Sequence, residues 1–257
     1  MVQTNSVLRL PHSCFESCNG IHSDDEIESP HLISVIIPAL DEERALPATL
    51  RALSSQTGEC EIIVVDGGSI DATTAVVRNL AQRDPRIRLL ESAKGRAQQM
   101  NAGADTADGE WLLFLHADTL LPANGLERIA SFSQKTQAGC FRHRFSGPGP
   151  MLRTLSWFHN QRFRVTRVIY GDQGLFVRRA LFADLGGFPA GHMEDINFGL
   201  NLRRVTRPVL APEAVITDSR KFEQMGAWSA LLHAVSLLLR HRYNAEVDGD
   251  PFFRDYR

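Results

Sequence analysis

Short, almost wholly apolar, β-branched runs constrain this chain most. The first is Ile33-Ser34-Val35-Ile36-Ile37, closed by Pro38. Ile62 to Val65, Ile87 to Leu90 and Trp111 to Leu115 repeat the pattern. A strand with one wet face alternates apolar and polar residues; a run without alternation is buried on both faces. Between the runs lie stretches with helical spacing. Leu46, Leu50 and Leu53 mark the first, and the others cover about Asp71 to Arg83 and residues 97–106. Strands alternating with helices predict a parallel sheet sandwiched between helical layers.

Ligands of such sheets bind beyond the carboxyl ends of the strands. Each early run here ends in polar groups: Asp41-Glu42-Glu43, then Asp66, then Lys94-Gly95-Arg96, then His116-Ala117-Asp118. A single acid after a strand reads equally well as a helix N-cap or turn residue, and Asp71 fits a plain N-cap. Four polar sites in one register instead describe a binding edge. Asp66-Gly67-Gly68-Ser69 suits close approach of backbone to a ligand, because glycine removes the side-chain obstacle. It is neither a dinucleotide fingerprint nor a phosphate loop. Asp118 offers the carboxylate oxygen that hard divalent cations prefer, often shared with substrate phosphates.

Beyond residue 138 the pattern loosens. Strands are expected over Phe141 to Phe145, Gly171 to Val177 and Ala214 to Thr217. Helices are expected over 151–167, 194–205 and Gly226 to Arg242. Residues 1–31, with the acidic run Asp24-Asp25-Glu26, read as a flexible leader. The division is thus 1–31 leader, 32–225 catalytic-type domain, and 226–257 C-terminal helix and tail.

The motifs together resemble the family 2 glycosyltransferases with the GT-A fold. The resemblance rests on the first strand with Pro38 and its acids, Val64-Val65-Asp66-Gly67-Gly68-Ser69, Phe114-Leu115-His116-Ala117-Asp118 and Met193-Glu194-Asp195. Gly171-Asp172-Gln173-Gly174 and Gly186-Gly187-Phe188 bring it closer to a bacterial branch. The implied fold is an α/β three-layer sandwich with a mostly parallel central sheet and a C-terminal helical extension.

The implied activity is transfer of a sugar from a nucleotide-sugar donor, UDP-linked, to an acceptor hydroxyl with inversion. The resemblance implies that Pro38, Ala39, Glu42, Asp66 and Gly67 line the nucleotide pocket, with Asp66 accepting from the base. Lys94 and Arg96 stand in the loop approaching the nucleotide, and Asn101 matches a recurring Asn of the next helix. Ala117 lies within the D-x-D position. Asp118 matches that motif's last acid, which holds Mg²⁺ or Mn²⁺. Asp195 matches the catalytic base, and Arg220 and Lys221 a basic motif near the diphosphate or acceptor. The chain departs from the pattern at His116, which replaces the first acid. It departs again at Lys221, which keeps charge but not bidentate phosphate geometry. Two other readings stay open. A nucleotidyltransferase shares such a sheet, although its G-x-G-T-R loop is missing after the first strand. A non-catalytic protein binding a nucleotide sugar or lipid is the other.

Charge separates the chain further. It carries 28 Lys and Arg against 30 Asp and Glu, a formal net charge of -2, which argues against a nucleic-acid partner. Yet Arg128 to Gly171 contains no acid and eight bases: Arg128, Lys135, Arg142, Arg144, Arg153, Arg162, Arg164 and Arg167. Within the helix expected over 151–167, Leu152, Leu155, Phe158 and Phe163 are assigned to the buried side. Arg153, Arg162, Arg164 and Arg167 then face an anionic or membrane-presented acceptor, or else a solvated surface. No run is long enough to span a bilayer, and the first 20 residues lack a signal-peptide pattern. Cys14, Cys18, Cys60 and Cys140 show no zinc-finger spacing and fit a reducing compartment. The expectation is a cytoplasmic enzyme. Peripheral contact with the inner face of the membrane, and a homodimer packed through the apolar segment from Gly226 to Leu239, are left open.

Overall fold

The computed structural model describes residues 32–191 and 193–220. The proposed leader, Lys221 and the helix expected from Gly226 lie outside the described residues. The described residues hold eight strands and seven helices, which alternate through the first half: β1 (Ile33–Ala39), α1 (Leu46–Ser54), β2 (Cys60–Asp66), α2 (Thr73–Ala81), β3 (Ile87–Glu91), α3 (Arg96–Asp105) and β4 (Trp111–Phe114). There follow β5 (Thr119–Leu120), α4 (Gly125–Ala130), β6 (Ala138–Phe145), α5 (Pro150–Thr166) and a 3-10 turn (Gly171–Gln173). β7 (Leu175–Arg178), α6 (Arg179–Asp184), α7 (Glu194–Val205) and β8 (Val209–Thr217) complete the order.

The strands form one sheet in the order β3-β2-β1-β4-β7-β6-β8-β5. The four early strands pair in parallel, as their unalternating apolar runs predict. β7 then runs antiparallel to both β4 and β6, and β5 antiparallel to β8. Period-two side chains split the core into two layers. Val35 and Ile37 pack with Leu46, Leu50, Leu53, Val77 and Leu126, from α1, α2 and α4. Ile36, between them in sequence, packs on the opposite side with Met100, Phe163, Phe182 and Phe198, from α3, α5, α6 and α7. The result is the expected three-layer sandwich.

Local departures have physical causes. Gly171 to Gln173 form a 3-10 turn, so the strand expected from Gly171 begins only at Leu175. β8 begins at Val209, five residues before the expected strand, because the β6–β8 register shifts between Phe141 and Arg142 and absorbs Pro212 there. On α5, Leu152 and Phe163 are buried as expected and Leu155 is half-buried, but Phe158 is exposed. Polar bonding to β6 sets the rotation of this helix. The Ser156 hydroxyl accepts from the Phe145 N–H at 3.2 Å. Asn160 accepts from the His143 N–H at 2.8 Å and donates to the His143 carbonyl at 3.0 Å. Those residues occupy the sheet side, and Phe158 is carried outward.

Candidate active site

The strand order reverses between β1 and β4. β2 lies on one side of β1 and β4 on the other, so a crevice opens where their following loops diverge. The N–H of Leu115 donates to the Ile36 carbonyl at 3.0 Å, which sets Pro38 and Ala39 beside His116 and Ala117.

On the β1 side, much of the acidity is structural. The Asp41 carboxylate accepts from the N–H groups of Ile70 and Asp71 at 2.8 and 3.3 Å. Glu43 accepts from Ala72 N–H at 3.1 Å, and Asp71 from Glu43 N–H at 3.1 Å. These bonds clasp the β1–α1 and β2–α2 loops together. Asp71 also accepts from Thr73 N–H at 2.8 Å, but Ala72 occupies the N-cap of α2, so Asp71 stands one residue before the cap position expected of it. Glu42 is half-buried, and its N–H donates to the Thr73 hydroxyl at 2.8 Å. Asp66 is buried and folds its own turn, accepting from the N–H groups of Gly68 and Ser69, each at 3.0 Å, and from the Ser69 hydroxyl at 2.5 Å.

Gln99, a residue that sequence patterning passed over, pins this edge. Its buried amide donates to the carbonyls of Ala39 and Val65, both at 2.8 Å. A Cβ on Gly67 would meet that amide at 2.9 Å, which explains glycine there. Asn101, on the same helix, accepts from Phe188 N–H and donates to the Phe188 carbonyl, both at 2.9 Å. It thus fixes the loop after Gly186-Gly187.

On the β4 side, the Thr49 hydroxyl donates to the Ala117 carbonyl at 2.7 Å and sets the turn from which Asp118 projects. The Asp118 carboxylate accepts from the Thr119 hydroxyl at 3.3 Å, and its carbonyl from the Asp218 N–H at 3.2 Å. Pairing of β5 with β8 therefore brings the end of β8 to Asp118. Arg220 follows there, exposed and bonded through Nε to Asp218 at 2.5 Å.

Between these walls lies a cluster joining residues far apart in sequence. Arg96, at the start of α3, pairs with buried Glu194 and lies 3.8 Å from Asp195 and 3.5 Å from His116 Nε2. Lys94, two residues earlier, is exposed. Asp195 accepts from Gly171 N–H at 2.6 Å and from Ile196 N–H at 2.9 Å. A Cβ on Gly171 would meet His116 Nε2 at 2.8 Å and Asp195 Oδ2 at 3.1 Å, so a side chain there would displace one or both. Burial, and then the adjacent Arg96 guanidinium, push the His116 pKa below its ordinary value and favour the neutral ring. Arg96, Met100, Phe114, His116, Tyr170 and Asp195 help to line a small cavity.

The basic segment divides. Arg128 is opposed after all, gripping the Glu213 carboxylate through Nε and Nη2 at 2.8–3.0 Å. Arg162 turns inward to the Val168 carbonyl and Gln173, at 3.1 and 2.9 Å, and lies over the Tyr170 ring. Arg167 donates to the Pro208 carbonyl at 3.4 Å. These internal bonds remove Arg162 and Arg167 from the row expected to face an acceptor. Lys135, Arg142, Arg144, Arg153 and Arg164 remain exposed.

Comparison with known proteins identifies the family. The model of the family "Glycosyl transferase family 2" matches residues 34–183, from β1 to α6. A PGL/p-HBAD biosynthesis glycosyltransferase of Mycobacterium tuberculosis is 29% identical over 208 residues, covering 77% of this chain and 79% of its own. Glycosyltransferase AglE of Haloferax volcanii is 28% identical over 169 residues, covering 61% and 56%.

Among solved structures, the mannosyltransferase PcManGT of Pyrobaculum calidifontis, in complex with GDP-Man and Mn²⁺, superimposes with a TM-score of 0.58 at 21% identity. That match covers 74% of this chain and 57% of PcManGT. S. aureus TarS 1-349, in complex with UDP-GlcNAc, gives a TM-score of 0.59 at 22% identity, over 73% of this chain and 58% of that one. The chain thus spans little more than half of the solved structures it matches, and shares their fold, the expected GT-A arrangement. With the family model reaching across the crevice that holds Asp66, Asp118 and Arg96, the chain belongs to glycosyl transferase family 2 and is a glycosyltransferase.

Proposed function

We propose that this protein transfers a sugar from a UDP-linked donor to the hydroxyl of an anionic or membrane-presented acceptor, with metal dependence and inversion. The observation that carries this reading is the pair of carboxylates bordering one crevice. Asp118 follows β4, Asp195 stands at the start of α7, and His116 feels the charge of both. Donor complexes of the fold relatives, with UDP-GlcNAc and with GDP-Man and Mn²⁺, support a nucleotide-sugar donor here.

The residues fit a shared metal. Asp118 is half-buried and belongs to no protein-only cluster of three ligating side chains among the described residues. A single carboxylate at the mouth of a crevice suits Mg²⁺ or Mn²⁺, which complete their shell with substrate phosphates and water. Bound there, the ion would supply Lewis-acid neutralisation of the leaving diphosphate. Pro38, Ala39, Glu42, Asp66 and Gly67 form the nucleotide side, with Ala117 at the phosphate end. Lys94, Arg96 and Arg220 supply positive charge around the diphosphate.

In the transfer, the bond from the anomeric carbon to the diphosphate oxygen breaks, and the diphosphate leaves with the electron pair. The acceptor oxygen forms its new bond on the opposite face, which inverts the centre. Its proton passes to Asp195, whose carboxylate is held by the N–H groups of Gly171 and Ile196. Such general-base help is worth about 10²–10⁴-fold.

The test is a panel of nucleotide sugars read by thermal shift and by donor turnover, with Mn²⁺ present or chelated. A UDP-sugar should raise the melting temperature, because a ligand bound only by the native state stabilises it. Asp118→Ala should abolish the metal-dependent part, and Asp195→Asn should keep donor binding while losing turnover. Donor binding unchanged in Asp118→Ala, with no turnover of any donor, would sink the reading. A shift with GDP-sugars alone would refute the UDP assignment.

A further inference from the structure

A second cluster of ligating side chains lies on the other side of the turn that holds Asp195. His143 comes from β6, His159 from α5 and Asp172 from the 3-10 turn, so three separate elements each send one group to one point. One donor atom from each lies within 4.8 Å of the others. His159 Nε2 is 3.2 Å from Asp172 Oδ1, and His143 Nε2 is 3.8 Å from Asp172 Oδ2.

His159 and Asp172 pair directly, whereas His143 stands 3.8 Å from the nearer Asp172 oxygen. His143 is 1% exposed, and neither of its ring nitrogens has a hydrogen-bond partner. A buried imidazole unsatisfied at both nitrogens, beside a carboxylate, calls for a missing partner. The surroundings exclude a large one. The His143 ring packs edge-on against Phe145 at 4.5 Å and tilts over His159 at 4.8 Å between centroids. Arg162 also faces the cluster, 3.3 Å from His159 Nε2, but it is anchored by Gln173 and the Val168 carbonyl.

We propose that His143, His159 and Asp172 form a second cation site, distinct from the Asp118 position, that takes a first-row transition ion of the zinc class. Two imidazole nitrogens and one carboxylate oxygen are a borderline-soft set, suited to Zn²⁺ or Co²⁺ rather than to the all-oxygen shells of Mg²⁺ or Ca²⁺. Bonds of about 2.0–2.2 Å at tetrahedral angles put ligand atoms roughly 3.4 Å apart. The two histidines face different Asp172 oxygens at 3.2 and 3.8 Å, and all three donors lie within 4.8 Å, so a small inward shift closes them on one ion. The ion is structural. It ties α5 and the 3-10 turn to β6, and Asp172 directly follows Gly171, whose N–H holds Asp195.

Binding can be tested apart from the transfer reaction. The full chain, stripped by a chelator, is titrated with Co²⁺ while its visible absorption is followed, and the bound Co²⁺ is then displaced with Zn²⁺. One Zn²⁺-displaceable equivalent should persist in Asp118→Asn. It should weaken by more than about 100-fold in His143→Leu and in Asp172→Asn, beyond what losing an outer-shell partner costs. Circular dichroism identifies any variant that fails to fold, and His159→Gln then carries the same comparison. Cobalt binding that is indifferent to His143 and Asp172, that disappears with Asp118, or that never saturates in the wild type overturns the proposal. None of these results depends on whether Asp195 is the base.

Discussion

Gly171 shows how closely the site is fitted at the scale of one residue. Its missing side chain leaves room for both His116 and Asp195. Gly171→Ala should therefore reduce turnover by about 10²-fold, since displacements of about 1 Å in a reacting group cost that much. The melting temperature should move little, and donor affinity should hold; kinetics beside a thermal melt separates the two effects. An alanine variant with full turnover would mean that Asp195 tolerates displacement. The importance of this glycine was not legible in the sequence, where Gly171-Asp172-Gln173-Gly174 gave only a family likeness. Asp118 stood out because it follows a buried strand, whereas Asp195 was marked only by the family resemblance, since an acid at a helix start is ordinary. Arg96 was found as a loop cation, but its partner Glu194 lies 98 residues away, and no local pattern encodes such a pairing. Gln99 was passed over for a similar reason: it bonds carbonyls 60 and 34 residues away.

Among elements, the parallel strands were the most legible, because burial on both faces leaves an unbroken apolar run. The short helices α4 and α6 escaped notice, because six residues carry too little periodicity to register. The rotation of α5 escaped too, since a serine and an asparagine rather than apolar residues set its inner side. The joint between α1 and the α2–β3 turn offers a quantitative test. Asp84 accepts from Arg86 at 2.8–3.1 Å and from the Ser54 hydroxyl at 2.7 Å. The Arg86 hydrogen bonds outweigh partial burial and hold its pKa at about 2, below the ordinary 3.8. A carboxylate with a depressed folded pKa stabilises above its unfolded value and loses that contribution as pH falls through the folded one. Asp84→Asn should thus cost about 1–2 kcal/mol at neutral pH. The difference should shrink from pH 3.8 downward and vanish below about 2. Denaturant midpoints across that range check it; a pH-independent difference would point to packing instead.

For the molecule as a whole, a net charge of -2 conceals a division of labour. Acids gather at the loops beyond β1, β2 and β4, while exposed bases lie along β6 and α5. β6 alternates exposed Arg142 and Arg144 with buried His143 and Phe145, so strand geometry alone puts both charges outward. α5 adds Arg153 and Arg164 beside exposed Trp157 and Phe158. No helix among the described residues is long and apolar enough to cross a membrane. If these charges attract an anionic acceptor, raising salt should increase the acceptor KM several-fold and leave the donor KM nearly unchanged. Exposed charges are screened within about 8–10 Å at moderate ionic strength. Steady-state kinetics over a salt series decides it, and an acceptor KM that ignores salt would reduce those bases to a solvated surface.

The Arg96–Glu194 pair carries a consequence for the order of events. Its guanidinium extends from the helix that follows the Lys94-Gly95 loop, and its partner opens the helix that bears Asp195. An anion that competes for this guanidinium leaves the buried Glu194 less well compensated, and α7 must answer. Whatever the first ligand does to the second, the second does in equal measure to the first, because binding free energies around a closed cycle are reciprocal. Donor and acceptor affinities measured separately and together should therefore share one coupling factor, set at a single arginine.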